Sequence, residues 1–301
     1  MNNLDQLTTI IVTYRTNHKI LIDCISSIQK EVKILIIENS NDENFKKKFE
    51  KEFRNVNVIL SGKNLGYGGG NNLGIKCAKT NFVFISNPDV VYEKNFFTEM
   101  NNYLNNKIDF SIMGVSYRGD EFLPYGSFEV SKNDELKKKP YNQDGVKEVD
   151  WIMGCSVLIN KKNFNLPYFF DENIFLYFEE IDICRRVKIS GGKVLTSSKL
   201  FAKHLGHKGS AATDPNYSIE TEMFRNWHWM WSSFYYHKKH YGYFYALAKT
   251  LGKLLRSLFK TIFFSIKYDK KKQTMYYARF SGLINSMMGR KSWYRVKSLF
   301  K

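Results

Sequence analysis

Strands and helices alternate along the first hundred residues, and this restricts the possible fold more than any other feature. Residues 9–14 (TIIVTY) form an apolar, β-branched run of strand length. Ile20, Leu21, Cys24, Ile25 and Ile28 then recur at helical spacing within 18–30. A second apolar run, 32–37 (VKILII), ends in Glu38-Asn39-Ser40-Asn41-Asp42, a turn able to cap a helix. Residues 56–60 and 82–86 read as third and fourth strands, with a glycine-rich turn and a short helix, 71–80, between them. Strands separated by helices predict a mostly parallel, Rossmann-like α/β sheet covered on both faces. Such sheets bind ligands beyond the carboxyl ends of their strands, where the polar turns of this chain fall. Past about residue 108 the pattern is mixed: strands near 111–116 and 156–159, a helix near 179–190, and only helices from about 218.

Of the 301 residues, 43% are hydrophobic and 16% aromatic, ample for a packed core. Residues 1–6 are polar and no stretch of about 18 uncharged apolar residues occurs, which predicts neither a cleaved leader nor a spanning helix. Cys24, Cys77, Cys155 and Cys184 stand apart, without metal-ligand spacing, and read as reduced thiols of a cytoplasmic protein. The net charge of +17 is concentrated: residues 225–301 hold 17 Lys or Arg against Asp269 alone. A nearly neutral body with a basic tail points to chemistry in front and an anionic contact behind. No nucleic-acid motif accompanies that charge, so no nucleic-acid partner is expected.

Seven segments in order resemble the inverting glycosyltransferases of family 2, in particular a bacterial rhamnosyltransferase-like branch that builds surface polysaccharides. They are TIIVTY (9–14), IIENS (36–40), NLGYGGGNNLGI (64–75), NPDV (87–90), WIMGCSVLI (151–159), DENIFLYFEEIDICRR (171–186) and KHLGHKGS (203–210). The resemblance covers about residues 8–210. It implies a GT-A fold, a nucleotide-diphosphate sugar donor, possibly dTDP-rhamnose, a divalent metal (Mg2+ or Mn2+), and a saccharide or lipid-linked acceptor. The expected organisation is a catalytic domain over 1–217, with a donor half (1–107) and an acceptor half (108–217), then a helical basic tail over 218–301.

Each segment has its own chemistry. The glycines near 66–74 fit neither the dinucleotide pattern nor a Walker loop. They serve either a tight turn or a ligand approached closely by backbone. The resemblance puts Asn64, Gly68, Gly69, Gly70 and Asn71 along the donor nucleotide, with Thr13, Tyr14 and Asn87. Glu38 contacts base or ribose by the same comparison, or caps its turn. Asp89 follows the fourth strand and can offer a hard oxygen to a cation that offsets charge on the leaving diphosphate. Asn87 replaces the first acid of the family's Asp-x-Asp.

Inverting transfer also needs a general base, and Glu179-Glu180-Ile181-Asp182 opens a helix after four apolar residues. By resemblance Glu180 is that base, with Glu179 and Asp182 toward the acceptor; a charged helix start is the other reading. Asp182 and Arg186 are placed to pair at i,i+4. Trp151 stacks on an acceptor sugar or belongs to the core. His204 matches a position that completes the metal site, whereas His207 reads as a surface or phosphate-side residue.

In the tail, Lys249, Lys253, Arg256, Lys260 and Lys267 share one helical face. Leu247, Leu251, Leu254, Leu255, Leu258 and Ile262 lie on the other. Either this helix rests on an anionic membrane surface at the cytoplasmic face, or it packs its leucines inward.

Overall fold

The computed structural model describes residues 3–106, 108–118, 124–206 and 219–295. The first strands are β1 (Leu7–Thr13), β2 (Lys33–Glu38), β3 (Val56–Leu60) and β4 (Phe82–Ser86), with α1 (His18–Ser26), α2 (Glu43–Glu52) and α3 (Gly66–Cys77) between them. There follow β5 (Val90–Tyr92), α4 (Phe96–Asn105), β6 (Ile112–Tyr117), β7 (Tyr125–Gly126), α5 (Asn133–Lys138), β8 (Val146–Glu148), β9 (Trp151–Ile152), β10 (Ser156–Asn160), α6 (Glu179–Ile189) and β11 (Val194–His204). The helices α7 (Ile219–Tyr241), α8 (Tyr243–Ile266) and α9 (Lys270–Met287) come last.

The main sheet runs β3-β2-β1-β4-β10-β6-β11-β5, with β8 joining β11. Strands β1 to β4 pair in parallel, as do β6 and β11, whereas β10 lies antiparallel to both β4 and β6. The chain crosses from β3 at the edge to β4 beside β1, which makes β1/β4 the switch point where such sheets open a crevice. Alternate residues feed two cores. Ile11, Ile36 and Phe84 pack on α1, α2 and α4; Ile10, Ile37 and Ile85 pack with α3 and α6. Burial on both faces explains why these strands read as continuous apolar runs.

The glycine-rich stretch differs from the sequence expectation. Gly68, Gly69 and Gly70 are not a turn before a helix at 71; the helix begins at Gly66 and contains them. Packing outweighs the helix penalty of roughly 1 kcal/mol per glycine. A β-carbon on Gly70 would sit 2.8 Å from Val12 Cγ1, and one on Gly74 would sit 2.5 Å from Ile10 Cγ2. The missing side chains let α3 approach β1 closely.

The described chain divides into two compact units, one holding residues up to 170 and 180–206, the other 171–179 and everything from 219. In the second unit, α7 meets 171–179 through several bonds. Lys239 Nζ lies 2.7 Å from Asp171 Oδ2, Ser232 Oγ donates to Leu176 O at 2.8 Å, and Arg225 Nε donates to the Tyr177 hydroxyl at 3.0 Å. Phe178 packs against Trp229 and Tyr236. These contacts hold Tyr177 and Phe178 at φ of 68° and 73°, left-handed geometry that costs side-chain-bearing residues of order 1–3 kcal/mol each.

Within the same unit α8 has three faces. Ala246, Thr250 and Ser257 are buried, and Leu254 is packed beside them. Lys249, Lys253, Arg256 and Lys260 form a second stripe. A third is apolar and open: Phe244 is 83% exposed, Phe259 67% and Ile266 71%, with Leu251, Leu255, Leu258 and Ile262 also exposed. The leucines are therefore divided, with Leu254 facing the bundle and most of the others facing outward. No described helix is long and apolar enough to cross a membrane.

Candidate active site

The site is built at the carboxyl ends of β1, β2 and β4. Thr13, buried, pairs in register with Glu38 across β1 and β2. Beyond it, Tyr14 bonds to the Asn64 side chain; partial burial raises its phenol above the ordinary value, and Arg15 opposes that rise. Glu38 is buried with both carboxylate oxygens in use. One accepts from Ser40 N at 3.0 Å and from the Ser40 hydroxyl, the other from Asp42 N at 2.9 Å. Asp42 in turn caps α2 by accepting from Asn44 N and Phe45 N. Glu38 thus shapes its turn.

Asn39, which sequence reasoning passed over, ties this turn to the start of α3 by donating from Nδ2 to Gly66 O at 3.2 Å. Asn64 Oδ1 accepts from Gly66 N at 2.9 Å. The buried side chain of Asn71 points back along α3, its Nδ2 donating to Tyr67 O at 3.1 Å.

Strand pairing brings the second cluster together. β11 runs antiparallel to β5 with His204 opposite Val90, and Leu205 N donates to Asp89 O at 2.9 Å. His204 Nε2 therefore lies 3.5 Å from Asp89 Oδ1, both side chains shielded from solvent. A cation that takes oxygen or nitrogen ligands at about 2.1 Å has neighbouring donors some 3 Å apart, so the pair suits one divalent ion. Among the described residues no group of three or more His, Cys, Asp or Glu is placed to hold a metal ion, and Asp89 with His204 is the described pair at this position. His207 and Ser210 lie outside the described residues.

The turn between β9 and β10 links this pair to the acidic helix. Asn87 N donates to Cys155 O at 2.8 Å, and the Tyr67 hydroxyl donates to Gly154 O. A β-carbon on Gly154 would come 3.3 Å from Glu180 Cβ, a tight contact that places this turn directly against the Glu180 side chain. Cys155, buried, donates from Sγ to the Tyr117 hydroxyl at 3.0 Å. Burial pushes its thiol up to about 12, and the carboxylates of Asp89 and Glu180 both add to the rise. One thiol thus registers both acids, and it stays protonated rather than acting as a nucleophile. The Glu180 carboxyl is itself raised above the usual range by burial.

The neighbouring candidates have structural partners. Asp182 is fully buried and bonds Arg186 Nε at 2.8 Å, as the i,i+4 spacing predicts. Arg186 also donates to the carbonyls of Tyr168 and Phe169. Glu179 is buried at the first position of α6. Trp151 Nε1 donates to Ser127 O at 3.2 Å, and its ring fills the space over Gly126. Tyr67, Tyr117 and Gly154 were not singled out from sequence. Tyr67 and Gly154 lie inside the matched segments 64–75 and 151–159, and Tyr117 lies in none of them.

The strand order and strand-end cluster define a GT-A fold. Two solved structures share it: GalNAc-T7 with UDP, GalNAc and Mn2+ (TM-score 0.55, 15% identity, 77% of this chain and 49% of that one), and the mannosyltransferase PcManGT from Pyrobaculum calidifontis with GDP-Man and Mn2+ (0.55, 11%, 95% and 88%). The profile of glycosyl transferase family 2 matches residues 8–166, and the chain belongs to that family. It is 25% identical over 195 residues to the low-salt glycan biosynthesis hexosyltransferase Agl10 of Haloferax volcanii, a match spanning 62% of each chain. Over 232 residues it is 24% identical to the rhamnosyltransferase WbbL of Escherichia coli, covering 70% of this chain and 84% of that one.

Proposed function

We propose that the chain transfers a sugar, with inversion, from a nucleotide-diphosphate sugar to a hydroxyl of a saccharide or lipid-linked saccharide, as a step in bacterial surface polysaccharide synthesis. The observation carrying this reading is the convergence of Asp89, His204 and Glu180 around the Gly154-Cys155 turn. The rhamnosyl- and hexosyltransferase relatives support a hexose or deoxyhexose, and dTDP-rhamnose is the first donor to test. Thr13, Tyr14, Glu38, Asn64, Gly68, Gly69, Gly70, Asn71 and Asn87 would flank the nucleotide. Trp151 and Glu179 would lie on the acceptor side, and Asp182, buried on Arg186, would serve that side by holding α6 in place.

In the reaction, the acceptor oxygen bonds to the anomeric carbon while the bond from that carbon to the diphosphate oxygen breaks. The electron pair leaves with the diphosphate, and the acceptor proton passes to the Glu180 carboxylate. Asp89 and His204 would hold a divalent cation, which when bound offsets charge on the leaving diphosphate. A screen of nucleotide sugars for donor hydrolysis, with Mg2+ or Mn2+ added, tests the whole reading. Failure of every donor with both metals counts against it.

The metal assignment has its own expected result. Asp89→Asn weakens cation-dependent donor binding, and His204→Ala does so more mildly. Titrating donor with and without Mn2+ decides this, since unchanged metal dependence in both variants removes the site.

The helical unit serves to hold the enzyme on an anionic, cytoplasmic membrane face, where a lipid-linked acceptor would be found. Support comes from α8, whose open apolar stripe runs beside its cationic stripe without an intervening acid. Each cation near an anionic surface contributes roughly 1 kcal/mol. Salt-sensitive binding to anionic vesicles is therefore expected. Changing Lys249, Lys253, Arg256 and Lys260 to Glu should abolish it while sparing turnover on a soluble acceptor analogue. Flotation of the charge-reversed protein with vesicles would show that these cations are merely solvated.

A further inference from the structure

The helical unit contains a cleft of about 320 Å3 that the proposed transfer does not use. Its walls come from 171–179, the C-terminal half of α7, and the chain after α9. Lys238, Arg290, Lys291 and Arg295 line it, against the single carboxylate of Glu172.

The end of α9 explains why so many cations gather here. Gly289, at φ 71°, turns the chain back: its N–H donates to Ser286 O, and Arg290 N–H donates to Asn285 O, both at 3.0 Å. The helix carbonyls are thereby occupied within the protein. Trp231 Nε1 donates to Arg290 O at 3.0 Å and pins the returning segment to α7. Arg295 lies over the Phe175 ring at 3.3 Å and donates to Ser292 O and Tyr294 O. Burial lowers it to about 10, so it remains charged at neutral pH. Arg290 donates to the neutral Asn285 Oδ1 at 3.2 Å. Among the described residues that line the cleft, four cations thus face one carboxylate, a concentration of like charge that a multivalent anion would relieve.

The chemistry of the lining selects the anion. Two guanidinium groups offer forked donors that match tetrahedral oxyanions, and two ammonium groups add point charge. A carboxylate brings one negative charge to four cations, whereas a phosphate monoester brings nearly two. Of the aromatic residues that line it, Tyr235 is the partly exposed one and can meet the group the phosphate is attached to. The volume suits one such head group, not an extended polyanion.

We infer that this cleft is a binding site for a phosphate monoester, held by Lys238, Arg290, Lys291 and Arg295. The ester is supplied either by a soluble molecule or by a lipid headgroup. The inference does not depend on glycosyl transfer.

The test uses the full-length protein in EDTA. One arm titrates inorganic phosphate by calorimetry. The other compares sedimentation with vesicles containing phosphatidic acid and with phosphatidylglycerol vesicles of equal surface charge. Lys238→Glu/Arg290→Glu/Lys291→Glu alters exposed positions only. Saturable phosphate binding that weakens at least tenfold in this variant supports the site with a soluble ligand. A preference for phosphatidic acid that disappears in the variant supports it with a lipid one. If the triple variant does not fold, Arg290→Gln/Lys291→Gln takes its place, with at least a threefold loss expected. No saturable binding to either probe, or binding equal in wild type and variant, overturns the site.

Discussion

Glu180→Gln is expected to lower turnover by roughly two to four powers of ten, the range for loss of a general base. The amide keeps the size and most of the hydrogen bonding of the acid, so fold and donor binding should survive. What it loses is the capacity to accept the acceptor proton as the new bond forms. Burial raises the Glu180 carboxyl above its ordinary value, and this fixes the sign of the pH dependence. The base is competent when ionised, so turnover falls as pH drops through the raised pKa. The acid limb of the wild-type profile should accordingly lie above the usual glutamate range, and the Gln variant should lack that limb. Single-turnover rates across pH, with donor affinity measured in parallel, provide the check. Near wild-type turnover in the variant rejects Glu180 as the base.

Arg186→Met should destabilise the protein by about 3–5 kcal/mol, the cost of leaving one member of a buried pair uncompensated. Asp182 is fully buried and Arg186 nearly so, and Arg186 also carries the carbonyls of Tyr168 and Phe169. The double variant Asp182→Leu/Arg186→Met should recover a large part of that loss, because it removes the stranded charge together with its partner. Urea melts of both variants would show this. A single variant within about 1 kcal/mol of wild type contradicts the described burial.

The legible parts of the fold are those whose residues carry a local, periodic signal. β1 to β4 are buried on both faces and stand out as apolar runs. β5 is three residues long, and β11 is interrupted by polar residues and a register shift between Thr196 and Phe201, so neither was read. Missing β11 hid the reason His204 meets Asp89: the resemblance suggested the pair, and an antiparallel register delivers it. The glycines of 66–74 were noticed as unusual but read as a turn, because the contacts that admit them into a helix come from Val12 and Ile10, over fifty residues away. Nothing in Tyr177 or Phe178 hints at left-handed backbone, which aromatic residues adopt only when surroundings impose it. The acid before Arg186 shows the opposite case. Its spacing alone announced the ion pair, since both partners lie one turn apart on the same helix.

The interleaving of the two units affects how the protein can be divided. The nine residues before Glu180 belong to the helical unit, although they precede it in sequence by some forty positions. A chain cut after residue 217 would keep every residue assigned here to catalysis, yet lose what covers Phe175, Tyr177 and Phe178 and what neutralises Asp171. Released from α7, the left-handed pair would relax, and the backbone leading into Glu180 would go with it. Removing the C-terminal helices is therefore expected to free residues 171–179 as well, and limited proteolysis of the shortened chain would show new cleavage there.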